Sequence, residues 1–274
     1  AGSATQVASW VTGAADLPGV QAVTGPTKVG NLLTIGLRTT GSGLDEPARE
    51  LTARLRSDRP PFPADVVGQA SALDDFVAAA KERAPYAGGT VALATLILLF
   101  LMTGSVVIPV KALIMNLLSL AASLGLVTWI FQDGHGGSLL QFSSVGALEQ
   151  VIPLLVLAFG FGLSMDYEVF LLSRIVELHE QGHDTSSAVR LGLQRSGRII
   201  TSAAVLMVIV FAGFVTAQVL VIKQTGVALV LAVALDATLV RMLLVPATMT
   251  VLGNANWWAP PALRRLHERF GITD

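Results

Sequence analysis

The sequence predicts an α-helical polytopic membrane protein of about five spans, preceded by a partial α+β domain of ferredoxin-like character. Three observations carry this. Of 274 residues, 53% are hydrophobic and only 14% charged, with a mean hydropathy of +0.66, far from an ordinary soluble domain. Charge is unevenly spread: residues 1–85 hold about eight of the 18 Lys and Arg, whereas from Gly88 onward apolar runs dominate and charges retreat to short connections. Those runs fall near 88–104, 112–131, 151–172, 199–217 and 225–247. At ~1.5 Å per residue each crosses a hydrocarbon core of ~30 Å, tilt permitting.

Composition also excludes. The formal net charge of −1 gives no reason to expect nucleic acid as a partner, so basic residues matter by position. The absence of cysteine rules out a disulfide framework, a thiolate zinc site and a cysteine nucleophile within the chain.

In chain order, residues 4–16 read as a helix, "GVQAV" and "LLTIGLRT" as strands, 45–57 as a helix with a basic last turn, and "PADVVGQ" as another strand. A split βαβ module starts with one more strand. The chain is therefore expected to begin partway through such a unit, as the C-terminal part of a longer polypeptide. A further helix, "SALDDFVAAAKERAP", has Asp74 and Asp75 near its start and Lys81 and Arg83 near its end, which suits the helix dipole, and Pro85 is expected to stop it.

Orientation follows from the connections. Lys111, the loop region with Arg174, Arg190, Arg195 and Arg198, and the tail with Arg264, Arg265 and Arg269 share one side. The 132–150 loop has no Lys or Arg, and the last turn has only Lys223. The basic side is expected to be cytoplasmic, with 251–274 a cytoplasmic tail and 1–85 extracytoplasmic. Trp129, Trp257 and Trp258 fall near interfaces, where indoles collect. An exported domain needs delivery, yet "AGSATQVASWVTG" has neither the basic nor the apolar region of a signal peptide, so a preceding span is expected.

Within the third span lies "FGFGLSMDYEVFLL". A carboxylate facing lipid at mid-span costs ~3 kcal/mol or more, so Asp166 is expected to face a bundle interior or a wet cavity. Desolvation there disfavours the charged form, a property a reversible proton carrier uses. Gly162, one turn earlier, gives a neighbouring helix room. Tyr167 is about 100° round the helix and can border the same seam, while Glu168 is about 200° round and faces elsewhere. The plainer alternative is that Asp166 is a satisfied polar contact between helices. A second acid, Asp236, continues a small-residue face with Ala228 and Ala232. It anchors packing against hydroxyls such as Thr201, Ser202 or Thr238, or takes part in a relay. Arg241, five residues on, is too far round an α-helix for an ideal pair.

Residues 179–183, "HEQGH", match the H-E-x-x-H of zinc metalloproteases. The context disfavours it, because Gly182 followed by His183, Asp184 and Thr185 resembles one helix ending and another being capped.

"GFGLSMDYEVFLLSRIVE", "AVRLGLQRSGRIITSAAVLM", "ALDATLVRMLLVPATM" and "NWWAPPALRRLHERFG", in this order, resemble the second half of an MmpL-type transporter (mycobacterial membrane protein large) of the resistance-nodulation-division (RND) superfamily. The resemblance covers nearly the whole chain. It implies an RND-type bundle half behind a partial porter domain, and a secondary active transporter of the cell membrane rather than an enzyme. Asp166 and Tyr167 match the family's second-half proton-carrying pair, with Asp236, Gly162 and Ser164 as supporting or further relay residues. The implied partners are protons, a lipid or other amphiphile, membrane lipids and an N-terminal half of the same polypeptide; no cofactor or metal is implied. The implied function is proton-driven export. Alternatives are a related translocation auxiliary, a sterol-sensing-type protein and, remotely, the metalloprotease.

Overall fold

Among the described residues, five helices are long and apolar enough to cross a membrane: Gln69–Thr103, Val107–Phe131, Val151–Glu180, Thr185–Val215 and Leu220–Trp257. The computed structural model describes residues 4–40, 46–142, 148–149 and 151–271, and its contacts divide the chain into units at 1–87 and 88–274.

The first unit opens with helix α1 (Ala4–Ala14), a hairpin of β1 (Val20–Val29) and β2 (Leu32–Thr39), and helix α2 (Glu46–Ser57). The hairpin is antiparallel, with Val29 opposite Leu32. Gly30 takes the positive φ that the two-residue turn requires. The register slips between Thr24 and Thr27, at Pro26, which has no N–H to give the ladder. Val7, Ala14, Ala48, Leu51 and Ala70 are buried, and Trp10 packs edge-on against Phe62. Arg49 pairs with Asp74 and Arg56 with Asp75.

Two expectations fail here. "PADVVGQ" is not a strand: the Val66 carbonyl accepts the Ser71 hydroxyl at 2.7 Å instead of a neighbouring strand, and the Val67 side chain is 84% exposed. Among the described residues the sheet has two strands. Nor does Pro85 stop its helix, because α3 runs unbroken from Gln69 to Thr103. Proline costs a helix one hydrogen bond and a steric clash at the carbonyl four residues earlier. Residues 81–90 are all exposed, which leaves that carbonyl free to find other partners.

The second unit contains α4 (Val107–Phe131), the short α5 (Gly137–Leu140) and a rod of α6 (Val151–Leu155), a π-helical stretch (Val156–Gly160) and α7 (Phe161–Glu180). Helix α8 (Thr185–Val215) follows. A second rod joins α9 (Leu220–Leu235), a π stretch (Asp236–Leu244), α10 (Val245–Leu252) and a 3-10 turn (Gly253–Trp257), and α11 (Pro261–Phe270) ends the fold. One core gathers Ile108, Leu172, Ile175, Ile200 and Met249; the other gathers Val127, Phe131, Ile152 and Ala228. Outward positions such as Leu117, Leu206, Ile209 and Leu243 are apolar and more than half exposed, the surface expected of helices bathed in lipid.

Polar ties secure the connections. The Ser105 Oγ accepts the Val107 amide at 3.0 Å and donates to the Asn256 carbonyl, joining the start of α4 to the end of the last span. Lys223, expected in a turn, lies in the first turn of α9 and is buried; its Nζ donates to the Leu140 carbonyl and satisfies the end of a short helix.

Candidate functional site

The site is built where the third and fifth spans meet, and its geometry depends on the π stretch at Asp236–Leu244. In an α-helix residues five apart diverge, but the wider i→i+5 turn stacks them. Asp236 and Arg241 therefore face the same way, and the Arg241 Nη2 donates to the Asp236 Oδ2. Both are buried, Asp236 7% and Arg241 2% exposed. The pairing that α-helical spacing disallows is made by a change of helix type.

The third span completes the cluster. The Ser164 Oγ donates to the Asp236 Oδ1 at 2.7 Å, and the Ser164 carbonyl accepts from the Arg241 Nη2 at 2.8 Å. The same guanidinium lies 5.1 Å from the centroid of the Tyr167 ring, within cation–π range. Arg241 thus joins Asp236, Ser164 and Tyr167. The hydroxyl on Asp236 is that of Ser164, not Thr201, Ser202 or Thr238: Ser202 and Thr238 bond to carbonyls of their own helices, and Thr201 is exposed. Close approach of the spans is made by Gly160, where an added Cβ would lie 2.7 Å from Leu120 and 3.7 Å from Ala232.

Asp166 is placed differently. It is exposed on the outside of the second unit, and a Cβ added at Gly162 would meet nothing within 4 Å. Gly162 and Asp166 therefore share an open stripe one helical turn apart. Tyr167 stands between the two settings, beside Asp166 in sequence and under Arg241 in space.

Sequence reasoning undervalued three residues. Glu168 is 4% exposed, within electrostatic range of Lys111, Arg241 and Asp236; it faces inward across the helix from Asp166. Lys111, expected in a connection, lies inside α4 and is 6% exposed. Arg241, too far round an ideal α-helix to pair with Asp236, is brought back to it by the π stretch. A usable signal was present: two opposite charges in one apolar span are far costlier apart than paired.

The histidine motif does not form the arrangement its chemistry needs. Helix α7 ends at Glu180 and Gly182 takes φ +93°, so His179 and His183 are not one turn apart on a helix. The His179 ring stacks on Trp257 at 3.9 Å, and its Nδ1 lies 3.0 Å from the His183 carbonyl oxygen. Among the described residues there is no cluster of three or more His, Asp or Glu able to hold a metal ion.

A model of the MMPL family matches residues 41–271. This chain belongs to the MMPL family. Similar proteins include SCO6666 of Streptomyces coelicolor, 48% identical over 85% of this chain and 33% of that protein. The trehalose monomycolate exporter MmpL3 of Mycobacterium tuberculosis is 42% identical over 86% of this chain and 25% of its own. The mycolic acid-containing lipids exporter MmpL11 of Mycolicibacterium smegmatis is 40% identical over 81% and 24%. This MMPL chain spans about a quarter to a third of the length of those relatives, and it is a multi-pass membrane protein.

Proposed function

We propose that this MMPL chain is the second half of a proton-driven exporter of lipids or other amphiphiles, in which Asp166 and Tyr167 carry the proton. The observation that bears most weight is the contrast between the two intramembrane aspartates. Asp236 is committed to Arg241 and Ser164, and a carboxylate held by a buried guanidinium is poorly suited to releasing and regaining a proton. Among the described residues Asp166 has no such tie, and it lies on an open face. In a span, that face must meet something other than lipid. The proposed partner is a corresponding span from an N-terminal half of the same polypeptide, with Tyr167 orienting the exchanged proton and Arg241 fixing the tyrosine ring.

The relatives named as exporters of trehalose monomycolate and of mycolic acid-containing lipids support a lipid or similar amphiphile as cargo. The proposed orientation places residues 1–85 outside and the tail in the cytoplasm. Protons would enter from outside, and each charge crossing ~100 mV supplies ~2.3 kcal/mol before any pH gradient is added.

The test is Asp166→Asn in the complete protein, reconstituted in vesicles with an imposed pH gradient. Lipid export and proton uptake should both fall to background while the protein remains folded and inserted. Undiminished transport by this variant would end the relay assignment.

A further inference from the structure

Helix α11 carries a surface that the transport reading does not use. It follows the last span and is held at the bundle end where α3 gives way to α4: His267 packs edge-on against Phe100 with ring centroids 5.9 Å apart, and the Val106 amide donates to the Trp258 carbonyl at 3.1 Å. Leu263, Leu266 and Phe270 are exposed at 36%, 44% and 57%, and Trp258 just before the helix at 56%. At about 100° per residue, Leu263 and Phe270 lie within about 60° of His267, and Leu266 within about 100°. Measured from the middle of that apolar stripe, Arg264 and Arg265 lie about 130° away on the opposite side, and Arg269 about 90° away at the rim. Three arginines oppose one acid, Glu268.

We infer that α11 lies in the membrane surface, with Leu263, Leu266 and Phe270 sunk at the boundary of the acyl chains and Arg264, Arg265 and Arg269 bound to anionic lipid headgroups. The occupant follows from position and charge. The helix is tied to the ends of two spans, so its exposed apolar side lies at the level where bilayer begins, and an apolar face backed by arginines is the composition of interfacial helices. Long arginine side chains reach outward from such a helix to the headgroup layer. Near an anionic surface each basic residue contributes ~1 kcal/mol, about a fivefold change in partition.

This assignment needs neither proton coupling nor a particular cargo, so it stands or falls apart from the transport reading. Its test uses the complete protein with single nitroxide labels introduced through Leu266→Cys, Phe270→Cys, Arg264→Cys and Arg265→Cys; this chain has no cysteine of its own. In vesicles containing phosphatidylglycerol, positions 266 and 270 should collide with oxygen more than with a water-soluble nickel chelate, and 264 and 265 should do the reverse. In phosphatidylcholine alone, and in the combined Arg264→Gln, Arg265→Gln and Arg269→Gln background, the oxygen preference at 266 and 270 should drop severalfold. Equal access to the chelate at all four positions would overturn the inference. Shielding of 266 and 270 from both probes would overturn it in favour of a protein contact. Burial indifferent to lipid charge would overturn the headgroup assignment.

Discussion

Arg241 is the residue on which the buried cluster turns, since it touches Asp236, the Ser164 backbone and the Tyr167 ring at once. Removing one member of a buried ion pair leaves the other charge uncompensated and costs about 3–5 kcal/mol, whereas replacing both by apolar groups is often neutral. Arg241→Met in the complete protein should therefore lower the melting temperature markedly, and the Asp236→Leu, Arg241→Met double variant should recover most of the loss. If the double variant is as unstable as the sum of its parts, the two charges are not a pair. At this scale the sequence was half legible. The cost of an isolated charge points to Asp166 and Asp236, and helix geometry places Glu168 on the opposite side from Asp166, as found. The pairing of Arg241 and the inward position of Glu168 are hidden when each acid is taken alone on an ideal α-helix, without asking which charges could neutralise each other across helices.

Among elements, the π stretch Asp236–Leu244 is what α-helical periodicity could not show. Such a stretch behaves as a local insertion into an α-helix. Deleting Ala237 should convert one turn to α geometry and bring Arg241 to four residues from Asp236, still on the same face. Deleting Leu229 from the α-helical part of the same span rotates everything beyond it by about 100°. The first deletion should keep detergent-solubilised protein monodisperse and the second should not; equal damage from both would refute the role given to the π turn. The spans themselves were legible because their signal is length and hydropathy. Their ends were less so: the fourth span begins at Thr185, in the polar stretch assigned to a loop. That start is secured by Asp184, whose side chain accepts the Ser187 amide at 3.2 Å. The bond to Ser187 holds the Asp184 carboxyl below its ordinary value. A depressed folded value means the contribution is complete at neutral pH and is lost as pH falls from about 4 through that lower value. The protection factor of the Ser187 amide, exchange corrected for its intrinsic pH dependence, should fall over that acid range, and Asp184→Asn, which caps without titrating, should abolish the dependence. Persistence of the same acid response in Asp184→Asn would assign it to another group.

Across the whole molecule, the glycines distinguish contacts made within this chain from contacts left for something outside it. At Gly226 an added Cβ would fall 2.7 Å from the Phe214 Cβ and 2.9 Å from the Phe211 carbonyl oxygen. Helices α8 and α9 therefore touch backbone to backbone there, and Gly226→Ala should destabilise the complete protein because neither obstacle is a movable side-chain end. Gly162 has open space instead, on the same stripe as Asp166, and among the described residues nothing packs on it that would require a glycine there. The small residue is legible in the sequence, but its neighbour is not, because the contact it suits is not made among the described residues. If a span from elsewhere in the polypeptide packs on that stripe, Gly162→Leu must push it away. In the complete protein this variant should leave insertion and the thermal stability of the Asp236–Arg241 cluster intact while cutting transport at least tenfold, and Gly162→Ala should have a smaller effect of the same sign. A label attached through Gly162→Cys should then be shielded from both lipid-soluble and water-soluble quenchers. Normal transport by Gly162→Leu, or free quenching of the label from the lipid phase, would leave Asp166 facing hydrocarbon and remove the basis for a second span at its side.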